Sequence, residues 1–238
     1  MTATIKSLMI LTSQPTMGVG GAPTGVWFEE LTAPYYAFID AGAEVEIASV
    51  AGGRIPIDPH SLKATGNNPA SVERFLKDAG AMHRIEQSKP LSALRASAYD
   101  AVFLPGGHGT MWDLPNNAAL GSLLNAAWKD GKVIAAVCHG PAGLIGALDE
   151  SGQPLVRGRR VSAFSNEEET MAGLSQTVPF ALESILRELG AKYESGPAFQ
   201  PFAVHDDRLV TGQNPASSEE VARLTLEAAR STGKASPQ

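Results

Sequence analysis

The stretch Val133-Ile134-Ala135-Ala136-Val137-Cys138-His139-Gly140-Pro141 sets a continuous apolar run directly against a cysteine, a histidine and a Gly-Pro pair. Five apolar residues without alternation read as a strand buried on both faces, as in parallel sheets covered by helices. Pro141 suits the first turn of a helix, where its missing N–H is not needed, so the chain must pass abruptly from strand to helix around Cys138. In open α/β sheets the crevice beyond the carboxyl ends of the strands is where ligands bind. A strand–nucleophile–helix elbow there holds its side chain strained and exposed, and it needs small neighbours. Ala136 and Gly140 supply them, although the usual pattern has Gly at both places. The helix N-terminus is expected to favour the thiolate and lower the Cys138 pKa. The His139 backbone N–H should face the same point as an oxyanion donor.

Outward from this elbow, apolar runs alternate with helical patterns, which predicts an α/β fold with a mostly parallel central sheet and helices on both faces. Residues 7–11, Glu44–Ser49 and Ala101–Leu104 read as strands. Helices are expected over 26–41, ended by Gly42, and over 118–130. Beyond the elbow the pattern predicts a strand over 160–164, a helix over 177–189 closed by Gly190, and a hairpin of 203–205 and 209–212 joined by Asp206-Asp207-Arg208. A last helix over 216–231 and a frayed tail over 232–238 complete the chain. The turn Pro105-Gly106-Gly107-His108-Gly109 should open on the same sheet edge as Cys138 and offer the second oxyanion donor; the plain alternative is a tight turn that needs glycine. Residues 52–92 break the rhythm, with several Pro and Gly and one weak helical stretch over 71–79. This length is read as an insertion that serves as a lid or a dimer contact rather than a second domain, so 1–238 is taken as one domain.

The 238 residues, 43% hydrophobic, suffice for a substantial core. Lys plus Arg number 19 against 25 Asp plus Glu, and the net charge of −6 argues against a nucleic-acid partner. No apolar run approaches the ~20 residues of a bilayer span and the start lacks a signal-peptide pattern, so no membrane partner and a cytoplasmic location are expected. Cys138 is the single cysteine, which excludes an internal disulfide and every multi-cysteine zinc pattern. His60 and His83 lie in the insertion without ligand spacing, and no metal is expected.

Four stretches in register, AVCHGP at 136–141, PGGHGT at 105–110, Thr24-Gly25-Val26-Trp27-Phe28-Glu29-Glu30, and Val210-Thr211-Gly212-Gln213-Asn214-Pro215-Ala216-Ser217, resemble the DJ-1/PfpI superfamily. More narrowly they resemble its branch of small heat-shock-induced chaperone-like proteins and glutathione-independent glyoxalases. The likeness runs in order over nearly the whole chain and includes Asp58-Pro59-His60-Ser61-Leu62 at the entry to the insertion. It implies a flavodoxin-like sandwich, often a homodimer, with a cofactor-free Cys–His–Glu site. The nucleophile falls on Cys138, the histidine on His139, the helix carboxylate on Glu30, and the backbone donors on Gly107 and His139. Glu169, by the same resemblance, orients His139. Glyoxalase members convert methylglyoxal to D-lactate without glutathione or metal. Class I glutamine amidotransferases share the superfamily but carry a distant His-x-Glu pair; here His205 is followed by Asp206-Asp207, which argues against that activity.

The residues themselves suit this chemistry. A Cys138 thiolate would add to an aldehyde carbon, the oxyanion would sit between backbone donors, and a base would move a proton to the adjacent carbonyl carbon. His139 and Glu30 are both candidates for that transfer, and their order stays open. Trp27, Glu30, Leu31 and Pro34 share one helix face, so Glu30 should point inward with a raised pKa while Glu29 lies toward water. His108 either lines the pocket or decorates its turn. The run Glu167-Glu168-Glu169 otherwise reads as an exposed acidic helix start, and Trp27 and Trp112 as core or pocket wall. The expected partner is a small 2-oxoaldehyde. The alternatives are a deglycase or cysteine hydrolase using the same group, and a holdase for unfolded client proteins in which Cys138 senses oxidation.

Overall fold

Strands that are apolar at nearly every position must be covered on both faces. The computed structural model, which describes residues 4–234, meets that demand with β1 (Lys6–Leu11), β2 (Glu44–Ser49), β3 (Lys89–Pro90), β4 (Ala101–Leu104), β5 (Val133–Val137), β6 (Arg160–Val161), β7 (Lys192–Tyr193), β8 (Ala203–Asp206) and β9 (Leu209–Gly212). Seven of them form one sheet in the order β3-β2-β1-β4-β5-β9-β8, parallel throughout except for the β8–β9 hairpin. Strand order reverses between β1 and β4, and the crevice at such a switch point is where a doubly wound sheet places its ligand.

The helices are α1 (Phe28–Asp40), α2 (Ala70–Lys77), α3 (Ala79–Glu86), α4 (Thr110–Asp113), α5 (Ala118–Lys129), α6 (Asn166–Met171), α7 (Leu182–Glu188) and α8 (Ser218–Lys234). Side chains alternate across the pleat, so each strand feeds two cores. Met9, Leu11, Phe103, Ala135 and Val137 face the layer that holds α1 and α8, while Leu8, Ile10, Val102, Leu104, Ile134 and Ala136 face α5. Among the described residues no helix is long and apolar enough to cross a membrane.

Beyond Cys138 four expected elements need correction. The segment after Cys138 is a five-residue 3-10 stretch, Gly140–Leu144, not an α-helix. The strand expected over 160–164 is only Arg160–Val161, and it pairs with β7 in a separate small sheet. Beyond it the backbone turns to the site: Ser162 N–H donates to Thr211 Oγ1, and Phe164 N–H donates to the Cys138 carbonyl. The helix expected from 177 starts at Leu182, because Pro179 disfavours helical backbone at Val178. Finally, α8 runs on to Lys234, so the expected frayed tail is helical at its start, and 235–238 lie outside the described residues.

The 52–92 segment holds two helices rather than one. Asp78 closes α2 and its side chain caps α3 by accepting from Ala81 N–H, so the two meet without a linking loop. Val72, Phe75, Ala81 and Ile85 join the α1-side core, and the Phe75 ring stands edge-on to Phe28 and Tyr35 at 5.4 and 5.2 Å.

Candidate active site

Alternation along β5 would send residue 138 to the α5 side with Ile134 and Ala136. Cys138 instead has φ +60°, and this left-handed backbone swings its side chain into the α1-side core. A non-glycine residue held there costs about 1–3 kcal/mol, and it persists only where the surroundings fix it. Cys138 N–H donates to the Gly212 carbonyl and its own carbonyl accepts from Phe164 N–H, both at 2.9 Å. Close approach of the neighbouring turns needs glycine: a Cβ on Gly140 would lie 2.1 Å from the Leu104 carbonyl oxygen, and one on Gly106 would lie 2.6 Å from His139 N. Thr110 Oγ1 ties the two turns together, 2.8 Å from the Gly107 carbonyl and 3.1 Å from that of His139.

On one side of the sulfur lies Glu30, brought in by the first turn of α1 and wholly buried. Its Oε2 accepts from Gly106 N–H at 2.8 Å, while Oε1 has no regular partner among the described residues. The carboxyl stands beside the Cys138 thiol and the two perturb each other, although their geometry falls short of a regular hydrogen bond. Glu29, one residue earlier, is half-buried on the flank.

On the other side lies His139, whose Nδ1 is 3.3 Å from Sγ. Its Nε2 is 2.8 Å from Glu169 Oε2, and His108 Nε2 is 2.9 Å from Glu169 Oε1. An ionised carboxylate only accepts, so each imidazole carries its proton on Nε2, and His139 Nδ1 presents a lone pair to the thiol. The two imidazole rings lie 4.1 Å apart, and Phe164 covers His139 at 4.4 Å.

Burial dominates the electrostatics. It pushes the Glu30 carboxyl up to about 8, with the thiol and the Gly106 N–H offsetting part of the rise. Burial, with the His108 ring beside it, pushes His139 down to about 4, against the pull of Glu169. Burial would raise Glu169 as well, but hydrogen bonds from His108 and His139 bring it down to about 2. The Cys138 thiol is pushed well up by burial and then by the Glu30 carboxylate, only partly opposed by the His139 backbone N–H. This corrects the expectation of a lowered thiol pKa: a five-residue 3-10 turn supplies little dipole, and two buried acids so close together hold at most one negative charge.

The structure thus brings Cys138, His139, Glu30, His108 and Glu169 together. Gly107, at φ +98°, lies against the Gly25–Trp27 backbone. Trp27 and Trp112 are half-buried, while His60 and His83 are exposed in the insertion. Glu168 departs from the exposed acidic start expected of its run. Its Oε1 accepts from Phe199 N–H and Asn214 Nδ2, and its Oε2 from Ser165 N–H, which anchors the turn that presents Glu169. The capping-box pattern Ser165-x-x-Glu168 was the available signal for that burial. Phe164 and Thr110 had none. Among the described residues, His108, His139 and Glu169 form the group able to hold a metal ion, each offering one ligand atom within 4.8 Å of the others.

A doubly wound sheet with a left-handed cysteine at a strand end, flanked by a histidine and a helix-borne glutamate, defines a class of α/β proteins. The DJ-1/PfpI family profile matches residues 24–228, and this chain belongs to that family. It is 32% identical over 224 residues to the glutathione-independent glyoxalase hsp3101 of Schizosaccharomyces pombe, covering 90% of this chain and 91% of that one. It is 31% identical to glyoxalase 3 of Candida albicans, covering 94% and 98%. Among solved structures, the Francisella tularensis rapid encystment protein of 24 kDa superposes with a TM-score of 0.90 at 39% identity, covering 95% and 99%. The crystal structure of glyoxalase III from Candida albicans superposes with a TM-score of 0.86 at 30% identity, covering 94% and 97%.

Proposed function

We propose that this chain converts small 2-oxoaldehydes to 2-hydroxy acids without glutathione, taking methylglyoxal to D-lactate. The observation that carries the reading is the convergence on one sulfur of a carboxyl that titrates near 8 and an imidazole lone pair 3.3 Å away. The glyoxalase names of the relatives support it.

In this mechanism the Sγ–C1 bond forms as His139 Nδ1 takes the thiol proton, which is then passed to the aldehyde oxygen to give a hemithioacetal. The His139 N–H, with a donor from the Gly107 turn, stabilises the oxygen while it carries charge. Glu30, in its ionised form, removes the proton from C1 and returns it at C2, and the C1 hydroxyl proton ends on the C2 oxygen. C1 is thereby oxidised and C2 reduced, so no external electron acceptor is required. Water hydrolyses the resulting thioester and restores the thiol. A carboxyl fixed on one side of the sulfur delivers the proton to one face, so a single enantiomer is expected.

The test is D-lactate formation from methylglyoxal by the purified protein in the absence of glutathione, with Cys138→Ala as control. Product from the wild type alone supports the reading. No product, or equal product from Cys138→Ala, overturns it.

A further inference from the structure

Beyond turnover, the geometry points to a means of stopping it. We propose that His108, His139 and Glu169 form an inhibitory site for a zinc-type divalent transition metal, which takes the proton-accepting role away from His139. The inhibition rests on the reading of His139 as the acceptor for the Cys138 proton; the metal site itself does not.

Three features of the cluster carry the inference. First, two imidazoles and one carboxylate are a ligand set that zinc accepts, with a fourth position left for water. Second, their ligand atoms are already gathered within 4.8 Å, and the two contacts to Glu169 are 2.8 and 2.9 Å. Zinc–nitrogen and zinc–oxygen bonds of about 2.0–2.2 Å in a tetrahedron place neighbouring ligand atoms about 3.3 Å apart, so the two contacts, one to each Glu169 oxygen, open by about half an ångström while the widest separation, up to 4.8 Å, closes. Third, the carboxylate is held from behind. Ser165 and Glu168 cap the turn that carries Glu169, and Glu169 also borders a cavity of about 160 Å³ lined in part by Phe164, Ser165, Asn166 and Thr170.

The consequence for His139 follows from its two nitrogens. At rest its proton is on Nε2, given to Glu169, and Nδ1 accepts from the thiol. An ion on Nε2 forces the proton to Nδ1, which then donates to Sγ. His108 makes the same exchange of tautomer, so no proton leaves the cluster. Cys138 is left with a donor where it needs an acceptor, and it cannot lose its proton to His139 as the carbon–sulfur bond forms. The sulfur itself, on the Nδ1 side of the ring, is not a ligand.

The experiment uses the full chain in a non-chelating buffer. ZnCl₂ binding is followed by calorimetry, CoCl₂ binding by visible absorption, and methylglyoxal turnover is measured across the same zinc titration. One ion per chain is expected, with a cobalt spectrum of nitrogen and oxygen ligands lacking a sulfur charge-transfer band. His108→Ala and His108→Gln should weaken zinc by at least about tenfold, and Cys138→Ser should bind as the wild type does. Equal zinc affinity in a folded His108 variant, a sulfur charge-transfer band, or loss of binding in Cys138→Ser overturns the site. If a His108 variant fails to fold, the wild-type cobalt spectrum decides alone. Turnover that persists at zinc saturation overturns the inhibition. A chain that binds the ion in this pattern yet makes no D-lactate without zinc would remove the proposed function and leave the metal site standing.

Discussion

The first turn of α1 and the first turn of α6 each bury a glutamate at the same site, and the two carboxyls behave oppositely. Glu30 meets one backbone N–H and a thiol that becomes an anion when ionised, and it holds its proton up to about 8. Glu169 meets two imidazole N–H groups and stays ionised down to about 2. Burial pushes both in the same direction. What separates them is the kind of partner: two imidazoles, through hydrogen bonds and charge, outweigh burial at Glu169, whereas a thiol and one backbone N–H do not at the wholly buried Glu30, so one pocket holds a titrating carboxyl and a fixed anion. The anion fixes the tautomer of His139, and the other carboxyl is the group whose proton can move.

The largest expected effect removes what the two carboxyls serve. Cys138→Ala should reduce methylglyoxal turnover to background with a near-native melting temperature; residual turnover in a folded mutant would mean that neither carboxyl acts through the sulfur. Next, Glu30→Gln should lower kcat by at least about tenfold, whereas Glu29→Gln should change little. If ionised Glu30 is the base, log kcat of the wild type should rise with pH and level near 8, and Glu30→Gln should lose that break. A break that survives in the mutant assigns it to another group. Glu169→Gln tests the other half. A glutamine can accept from only one of the two imidazoles, so His139 loses its enforced tautomer, and kcat should fall with no change in the position of the break near 8.

A smaller effect concerns the resting thiol. Because burial and Glu30 push its pKa up, Cys138 should be alkylated by iodoacetamide at pH 7 more slowly than free cysteine, and Glu30→Gln should speed the reaction. Faster alkylation than free cysteine in the wild type would contradict the shared-charge picture. Smallest are the stability slopes, read as shifts of about 2–4 °C in melting temperature per kcal/mol for a chain of this size. Glu30 is raised from 4.5 to about 8, so its contribution to stability is full below 4.5 and is lost as pH rises through 8. Glu169 is lowered from 4.5 to about 2, so its contribution is present above 4.5 and is lost as pH falls through 2. Thermal melts of the two Gln variants should flatten opposite limbs of the wild-type pH profile.

The parts legible in the sequence were those written in neighbouring residues. The runs at Ala101–Leu104 and Val133–Val137 coincide with β4 and β5, since a wholly buried strand leaves no alternation to misread, and Glu44–Ser49 coincides with β2, whose alternating start puts Glu44 outward and Val45 inward. Glu30 was separable from Glu29 by helical rotation alone. What stayed hidden depended on distant contacts. The bridge of Glu169 to His139 and His108 spans 30 and 61 residues; its His139 half came only from the family resemblance and its His108 half had no signal, since nothing local told Glu168 and Glu169 from the exposed Glu167 beside them except a capping box. The helix after Cys138 was over-read because Gly-Pro opens 3-10 and α turns equally well, and tertiary packing stopped it at Leu144. The second helix of the insertion was missed because Asp78 ends one helix and starts the next without a pause.

The backbone at Cys138 would suit glycine better than any residue with a side chain. Cys138→Gly should therefore melt higher than Cys138→Ala, by an amount on the order of 1 kcal/mol, although it removes more of the side chain. A lineage drifting under selection for stability alone would lose the side chain at this position early, and with it the chemistry. A cysteine at this position is therefore a stability cost that the fold itself does not require.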